Sequence, residues 1–248
     1  MGGHLGRDRR GARGAGAAHV RPGGGTVRRL AAFGGTFDPI HEGHLQAARR
    51  AATVLSLDLV VFIPAGCPPH KAGEAISSYC HRFAMLALAT RHDDRFVVSE
   101  LERDAAAPSY TVATLQRLRA DFAGERIFFL LGSDAFAQIT TWHRWRELPD
   151  LATLVVLHRP GAAIAGGDPL GPPEFRERLV PAAALRGGEG EVPKGGIVLL
   201  DNEGLDVSAS ELRRRLRHGE RAPALLDPAV AAYAVKHGLY HEKERDGR

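Results

Sequence analysis

Short stretches that are apolar at every position alternate with helix-like stretches along most of this 248-residue chain, and that alternation restricts the fold more than any other feature. Leu30 to Phe33, Leu59 to Ile63, Phe96 to Val98, Ile127 to Leu131, Leu154 to Leu157 and Ile197 to Leu200 read as strands. Helices are read over Leu45 to Leu55, Tyr79 to Thr90 and Thr111 to Phe122, near Ala135, and over Ser208 to Arg217 and Pro228 to Lys236. A strand with no polar alternation is buried on both faces, and strands separated by helices pair in parallel. The expectation is an α/β fold, a doubly wound parallel sheet with a C-terminal helical extension.

The remaining stretches set the limits of that domain. Residues 1–27 hold arginines at 7, 9, 10, 13 and 21, one acid (Asp8), many glycines and few large apolar side chains. Such a segment buries too little to offset its ordering entropy and is expected to be disordered. It also accounts for the whole formal charge of +4, because acids and bases balance over the rest of the chain. Nucleic acid is therefore not expected as a partner of the folded part, although an arginine-glycine arm on RNA remains a competing reading of the tail. Residues 28–241 are expected to form one domain. Within it, 161–196 is rich in glycine and proline, with a short helix read at Glu174 to Leu179, and is expected to be a loop or insertion. Residues 242–248 are expected to be a flexible end. Cys67 and Cys80 form no CxxC pair and read as reduced thiols. No stretch approaches the roughly 18 apolar residues of a membrane span, and no apolar signal region is present, so a cytoplasmic protein without a membrane partner is expected. Whether it forms a homo-oligomer is left open.

Directly after the first strand comes GGTFDPIHEGH, Gly34 to His44. Ligands of open parallel sheets bind beyond the carboxyl ends of the strands, where backbone N–H groups and helix N-termini gather. Gly34 and Gly35 are expected to let the backbone turn tightly and approach a ligand, Pro39 to stiffen the loop, and His41 and His44 to share one face at the start of the next helix. Glycine-loop amides, the Thr36 hydroxyl and two imidazoles suit a phosphate, with the helix dipole adding a favourable field. Two histidines three residues apart can also bind zinc, but such a site needs further ligands. Neither GxGxxG nor GxxxxGK[ST] is present.

With these residues the sequence resembles the nucleotidyltransferase superfamily that carries the HxGH signature. Further stretches are similar to its bacterial nicotinate mononucleotide adenylyltransferase family: PAGCPPHK (Pro64 to Lys71), HRFAML (His81 to Leu86), PSYTVATL (Pro108 to Leu115), GSDAFAQITTWHRWREL (Gly132 to Leu148), HRPG (His158 to Gly161) and VSASELRRRL (Val207 to Leu216), in the family's order. The resemblance runs from about residue 28 to 241. It implies a Rossmann-like nucleotidyltransferase fold and adenylyl transfer from ATP to nicotinate mononucleotide, giving nicotinate adenine dinucleotide and pyrophosphate.

The resemblance implies roles residue by residue. His41, His44, Lys71 and Arg213 would act on the transferred phosphate. Gly34, Gly35, Thr36, Phe37, Gly132, Asp134, Ser208 and Ser210 would contact ATP. His70, Tyr110, Thr111 and Trp142 would bind the acceptor, with Tyr110 and Trp142 sandwiching the pyridine ring and Thr111 with nearby amides receiving its carboxylate. Mg2+ would be bound mainly through the ATP phosphates. Competing local roles remain at several positions: helix caps for Ser208, Ser210 and Asp134, core packing for the aromatics and a solvated surface position for Lys71. Asp38 has no assigned role beyond organising its loop. The sequence departs from the family at Ala113, where SYTxDTL has an acid, at AAAP (105–108), at Ala209 and at RAPALLDP (221–228). An adenylyltransferase for nicotinamide mononucleotide or phosphopantetheine is the nearest alternative, and an inactive nucleotide-binding regulator is one of a different class.

Overall fold

A computed structural model of the chain describes residues 29–68, 75–103, 108–158, 171–182, 192–201, 207–220 and 224–240. The expected strands are all present: β1 (Arg29–Gly35), β2 (Leu59–Pro64), β3 (Phe96–Val98), β4 (Arg126–Gly132), β5 (Thr153–His158) and, late in the chain, β7 (Ile197–Asp201). The strand that sequence reading missed is β6, Leu179–Pro181. The helix expected over Glu174 to Leu179 is a 3-10 turn, Pro173–Arg178, that feeds directly into β6. The stretch read as a loop or insertion therefore contributes an edge strand. Three residues ending in proline show no period, and a proline without an N–H is tolerated only at such an edge.

All neighbours pair in parallel, in the order β3-β2-β1-β4-β5-β7-β6. The chain winds outward from β1 through β2 to β3, then returns to pair β4 with the other side of β1. This reversal opens a crevice between the carboxyl ends of β1 and β4. Residues alternate strictly across the sheet. Ala31, Phe33, Val60, Phe62, Phe128 and Leu130 face α1 (Glu42–Val54), α2 (Tyr79–Thr90) and two later helices, α6 (Ala209–Arg217) and α7 (Pro228–Lys236). Leu30, Ala32, Val61, Phe129 and Leu131 face α3 (Thr111–Asp121) and the short α4 (Ser133–Ala137) and α5 (Leu148–Leu151). Each fully buried Phe or Leu in these layers stabilises the sheet by about 1.5–3 kcal/mol relative to exposure.

Helix starts follow local chemistry. Ser78 Oγ accepts from His81 N at the head of α2, and Asp227 Oδ1 accepts from Ala229 N ahead of Pro228 in α7. No helix among the described residues is long and apolar enough to cross a membrane. The tail of residues 1–27, the end at 242–248 and most of the HRPG segment lie outside the described residues.

Candidate active site

The β1/β4 crevice widens into a cleft of about 560 Å³, bordered by Gly34, Gly35 and Thr36 at the end of β1, Ile63 and Ala65 after β2, and Leu131 and Gly132 at the end of β4. Gly34 and Gly35 are not the turn that the sequence suggested. They are the last paired residues of β1, opposite Ile63 and Pro64. The turn falls at Phe37, whose φ is 51°, followed by a cis Asp38–Pro39 peptide. What excludes a side chain at Gly35 is crowding, since a Cβ there would lie 2.8 Å from the Phe37 ring. That ring is buried at the edge of the core against Phe33, Phe62 and His44, so the part of Phe37 able to meet a ligand is its backbone.

His41 is the N-cap of α1 and His44 its third residue. Their rings lie 3.8 Å apart, centroid to centroid, with His41 buried and His44 half-buried. His44 Nδ1 accepts from His41 N at 3.4 Å, which places the proton of a neutral ring on Nε2, as a donor. Gly43 between them is required by close approach: a Cβ would stand 2.9 Å from Val207 and 3.1 Å from the His41 ring. Two imidazoles at the positive end of a 13-residue helix form a place where negative charge is stabilised.

Beneath this loop Asp38, which the sequence reading left without a role beyond the loop, joins polar groups that it did not single out, Arg82, Ser77 and Tyr240. Asp38, 4% exposed, accepts from Tyr240 Oη at 2.7 Å and from Ser77 N at 3.0 Å. Its own carbonyl accepts from Arg213 Nη1 at 2.7 Å. The aspartate thus organises the loop, as the sequence left open, and touches its neighbours through every acceptor it has. Arg82, 2% exposed, donates to the carbonyls of Thr36, Ala65 and Ser77 at 2.9, 2.7 and 3.0 Å. Burial pushes the Arg82 guanidinium down from its ordinary value, and the Asp38 carboxylate opposes that shift. The same carboxylate, second to burial itself, pushes the Tyr240 hydroxyl well above the usual phenol range. The one sequence signal for Arg82 was an arginine inside an otherwise apolar helix face.

The opposite wall carries the aromatic residues. Tyr110 is exposed and its ring stacks on His143 at 4.4 Å and 30°, a residue that sequence reading passed over. Trp142 packs edge-on against Phe129 at 6.3 Å. Both aromatics border the same cleft, as do Thr111, Thr114 and Glu102. Tyr110 and Trp142, the two expected to sandwich a ring, lie on this one cleft, with His143 stacked on Tyr110. Tyr110, the N-cap of α3, makes no side-chain capping bond, and Thr111 and Thr114 of the first turn border the cleft, so this end of the helix lies at the cleft. Glu102 Oε1 accepts from Thr114 Oγ1 at 2.5 Å and Oε2 from Gly66 N at 3.3 Å. Cys67 and Ser109 tie the same two segments together through two hydrogen bonds of 3.0 Å. Ala113, where the family has an acid, is exposed on the far side of α3.

On the third side, Ser208 is the N-cap of α6, its hydroxyl accepting from Glu211 N at 3.1 Å, so the capping role is realised. Ser210 lies within the first turn and Arg213 in the next, and Arg213 Nη2 donates to Ser210 Oγ at 3.2 Å. Asp134 is exposed just beyond β4 in the first turn of α4, whose N-cap is Gly132, so the cap role weighed for Asp134 is not the one it plays. His70 and Lys71 lie outside the described residues. Among the described residues no group of three His, Cys, Asp or Glu side chains could hold a metal ion. The donor groups that line the cleft include backbone amides, the hydroxyls of Thr36, Ser109, Thr111, Thr114 and Thr141 and the His143 imidazole, with His41, His44 and Arg213 on the adjoining loop and helices, a set that fits phosphates and a cation carried on them.

A family model described as cytidylyltransferase-like matches residues 32–215. A protein of Solibacter usitatus named "Probable nicotinate-nucleotide adenylyltransferase" is 42% identical over 214 residues, 86% of this chain and 100% of its own length. One of the same name from Thermus thermophilus is 41% identical over 212 residues, 86% of this chain and 99% of its own. Among solved structures, the Plasmodium falciparum nicotinic acid mononucleotide adenylyltransferase complexed with NaAD superposes with a TM-score of 0.64 at 17% identity, over 86% of this chain and 97% of that one. The latter likeness is one of fold.

Proposed function

The chain belongs to the cytidylyltransferase-like family and, within it, to the nicotinate-nucleotide adenylyltransferases, and from that premise we propose that it transfers the adenylyl group of ATP to nicotinate mononucleotide. The observation that carries this reading is one cleft with two unlike walls: the β1 end with Gly34, Gly35 and Thr36, from which the loop leads on to His41 and His44 at the head of α1, and the aromatic wall with Tyr110, Thr111 and Trp142. One wall suits phosphates and the other a flat ring bearing a carboxylate.

In this reaction an oxygen of the acceptor's 5′-phosphate attacks the α-phosphorus, that P–O bond forms, and the bond to the bridging oxygen of the β-phosphate breaks. Pyrophosphate leaves with the bond's electrons, and nicotinate adenine dinucleotide remains. The nucleophile is already an anion, so no general base is needed, and the protein's task is to align two polyanions and hold the developing charge. His44 Nε2 would donate to the α-phosphate, supported by His41, and the Thr36 hydroxyl and the Phe37 amide would donate to the neighbouring phosphate oxygens. Arg213 and Lys71 would neutralise the leaving pyrophosphate. Asp134 would take the ATP ribose. Tyr110, His143 and Trp142 would enclose the pyridine ring, whose carboxylate meets the amides at the start of α3. Mg2+, bound through the triphosphate, would neutralise charge between its oxygens.

The test is pyrophosphate release from ATP with nicotinate mononucleotide, nicotinamide mononucleotide and phosphopantetheine offered in parallel. The acid nucleotide is expected to give the highest kcat/KM. Equal or greater turnover of phosphopantetheine would overturn the assignment of the acceptor.

A further inference from the structure

Arg82 ties together three segments that meet at the cleft. Its guanidinium holds Thr36 O at the end of β1, Ala65 O after β2 and Ser77 O at the entry to α2, all within 3.0 Å. Thr36 and Ala65 both border the cleft. A planar trans peptide carries its C=O and N–H on opposite sides, and among these residues only Asp38–Pro39 is cis. Anchoring the Thr36 carbonyl on buried Arg82 therefore turns the N–H of Phe37 the other way. The Ala65 peptide shows the effect directly: with its carbonyl on Arg82, the following N–H, that of Gly66, points to Glu102, a side chain of the cleft wall.

We propose that Arg82 is a positioning residue for adenylyl transfer, holding the carbonyls of Thr36 and Ala65 away from the cleft so that the Phe37 amide faces the triphosphate. The proposal rests on the reading that ATP occupies the β1 end of this cleft. Carbonyl oxygens turned toward a polyanion repel it, whereas N–H groups bind it, so the orientation of one peptide unit changes the sign of its interaction. The loop is gripped twice, because Ser77 also donates its own N–H to Asp38 while its carbonyl accepts from Arg82. A guanidinium is required for this: three carbonyls from three segments match its fixed planar fork, and an ammonium offers the charge without the geometry.

The full-length chain should be compared with Arg82→Lys, which keeps the charge, and Arg82→Gln, which removes it. ATP affinity is read by calorimetry with Mg2+ and no acceptor, turnover by pyrophosphate release, and folding by thermal unfolding. At a temperature where a variant is folded, ATP affinity and kcat should each fall at least about tenfold, within the range for losing one aligned donor, while KM for nicotinate mononucleotide stays within about threefold. Arg82→Lys matching the wild type within about twofold in ATP affinity and kcat would overturn the proposal. So would equal losses in both substrates' KM, or loss of the fold in both variants, since either marks a purely structural arginine. A wild-type chain that favours phosphopantetheine would refute the acceptor assignment and leave the ATP comparison standing.

Discussion

Tyr240 donates its hydroxyl hydrogen bond to Asp38 Oδ1 at 2.7 Å, joining the last turn of the C-terminal segment to the loop that carries the histidines, 202 residues away in sequence. Together with Arg213 of α6, which donates to the Asp38 carbonyl, that bond ties the C-terminal helices to the loop. Removing the hydroxyl as Tyr240→Phe leaves a buried carboxylate oxygen short of a donor, a loss of about 1.5–3 kcal/mol for a hydrogen bond to a charged group. The variant is expected to unfold at a lower temperature and to show a raised KM for ATP. Thermal unfolding and steady-state kinetics at neutral pH check both.

His44 and His41 should respond differently to truncation although they are neighbours. His44 is half-buried in the first turn of α1 and is the proposed donor to the α-phosphate, so His44→Ala should lower kcat by about 10²–10³, the usual loss for one aligned donor, with a melting temperature close to that of the wild type. His41 is 2% exposed and packs against Gly43 and His44, so His41→Ala should lose both activity and stability. Circular-dichroism melts beside turnover numbers separate the two cases. Near-normal turnover in His44→Ala would refute its role.

Most of the architecture was legible because parallel strands buried on both faces are apolar throughout, and every such run became a strand of the sheet. Three residues of β6 were invisible because an edge strand ending at Pro181 has neither period nor length. The strand end and helix start beside the cleft were legible from GTFDPIHEGH, since these are local features. Arg82, Tyr240 and the partners of Asp38 were not, because the groups that meet lie 5 to 202 residues apart and only the folded chain brings them together. The turn itself was misplaced by two residues: glycine is the usual left-handed residue, yet here Phe37 adopts that conformation and buries its ring in exchange.

Ala113 is a departure from the family that should cost nothing. It is exposed on α3, whereas Val112, Thr114 and Leu115 are buried, so an acid restored there would project away from the cleft. Ala113→Asp is expected to leave KM for nicotinate mononucleotide within about twofold, as is usual for a surface change away from special features. Trp142→Ala, in contrast, removes an aromatic wall of the cleft and should raise that KM by about tenfold, given roughly 0.5–1.5 kcal/mol for an aromatic pair beyond its buried area. KM for ATP should change little in either variant.

Alkaline pH should destabilise this protein through its two half-buried phenols. The Tyr79 hydroxyl is pushed up by burial and then by the charges of Glu100 and Glu102, and that of Tyr240 by burial and then by Asp38. A phenol whose native pKa lies above its unfolded value of about 10 stabilises the fold while protonated. That contribution is complete below pH 10 and is lost as the pH rises through the native value, because the unfolded chain releases the proton first. The melting temperature should therefore fall between about pH 9.5 and 11.5, less steeply in Tyr240→Phe and least in the double variant with Tyr79→Phe. Equal slopes in all three proteins would mean that neither hydroxyl keeps its proton against the unfolded state, and that the Tyr240–Asp38 bond contributes nothing to holding the two ends of the domain together.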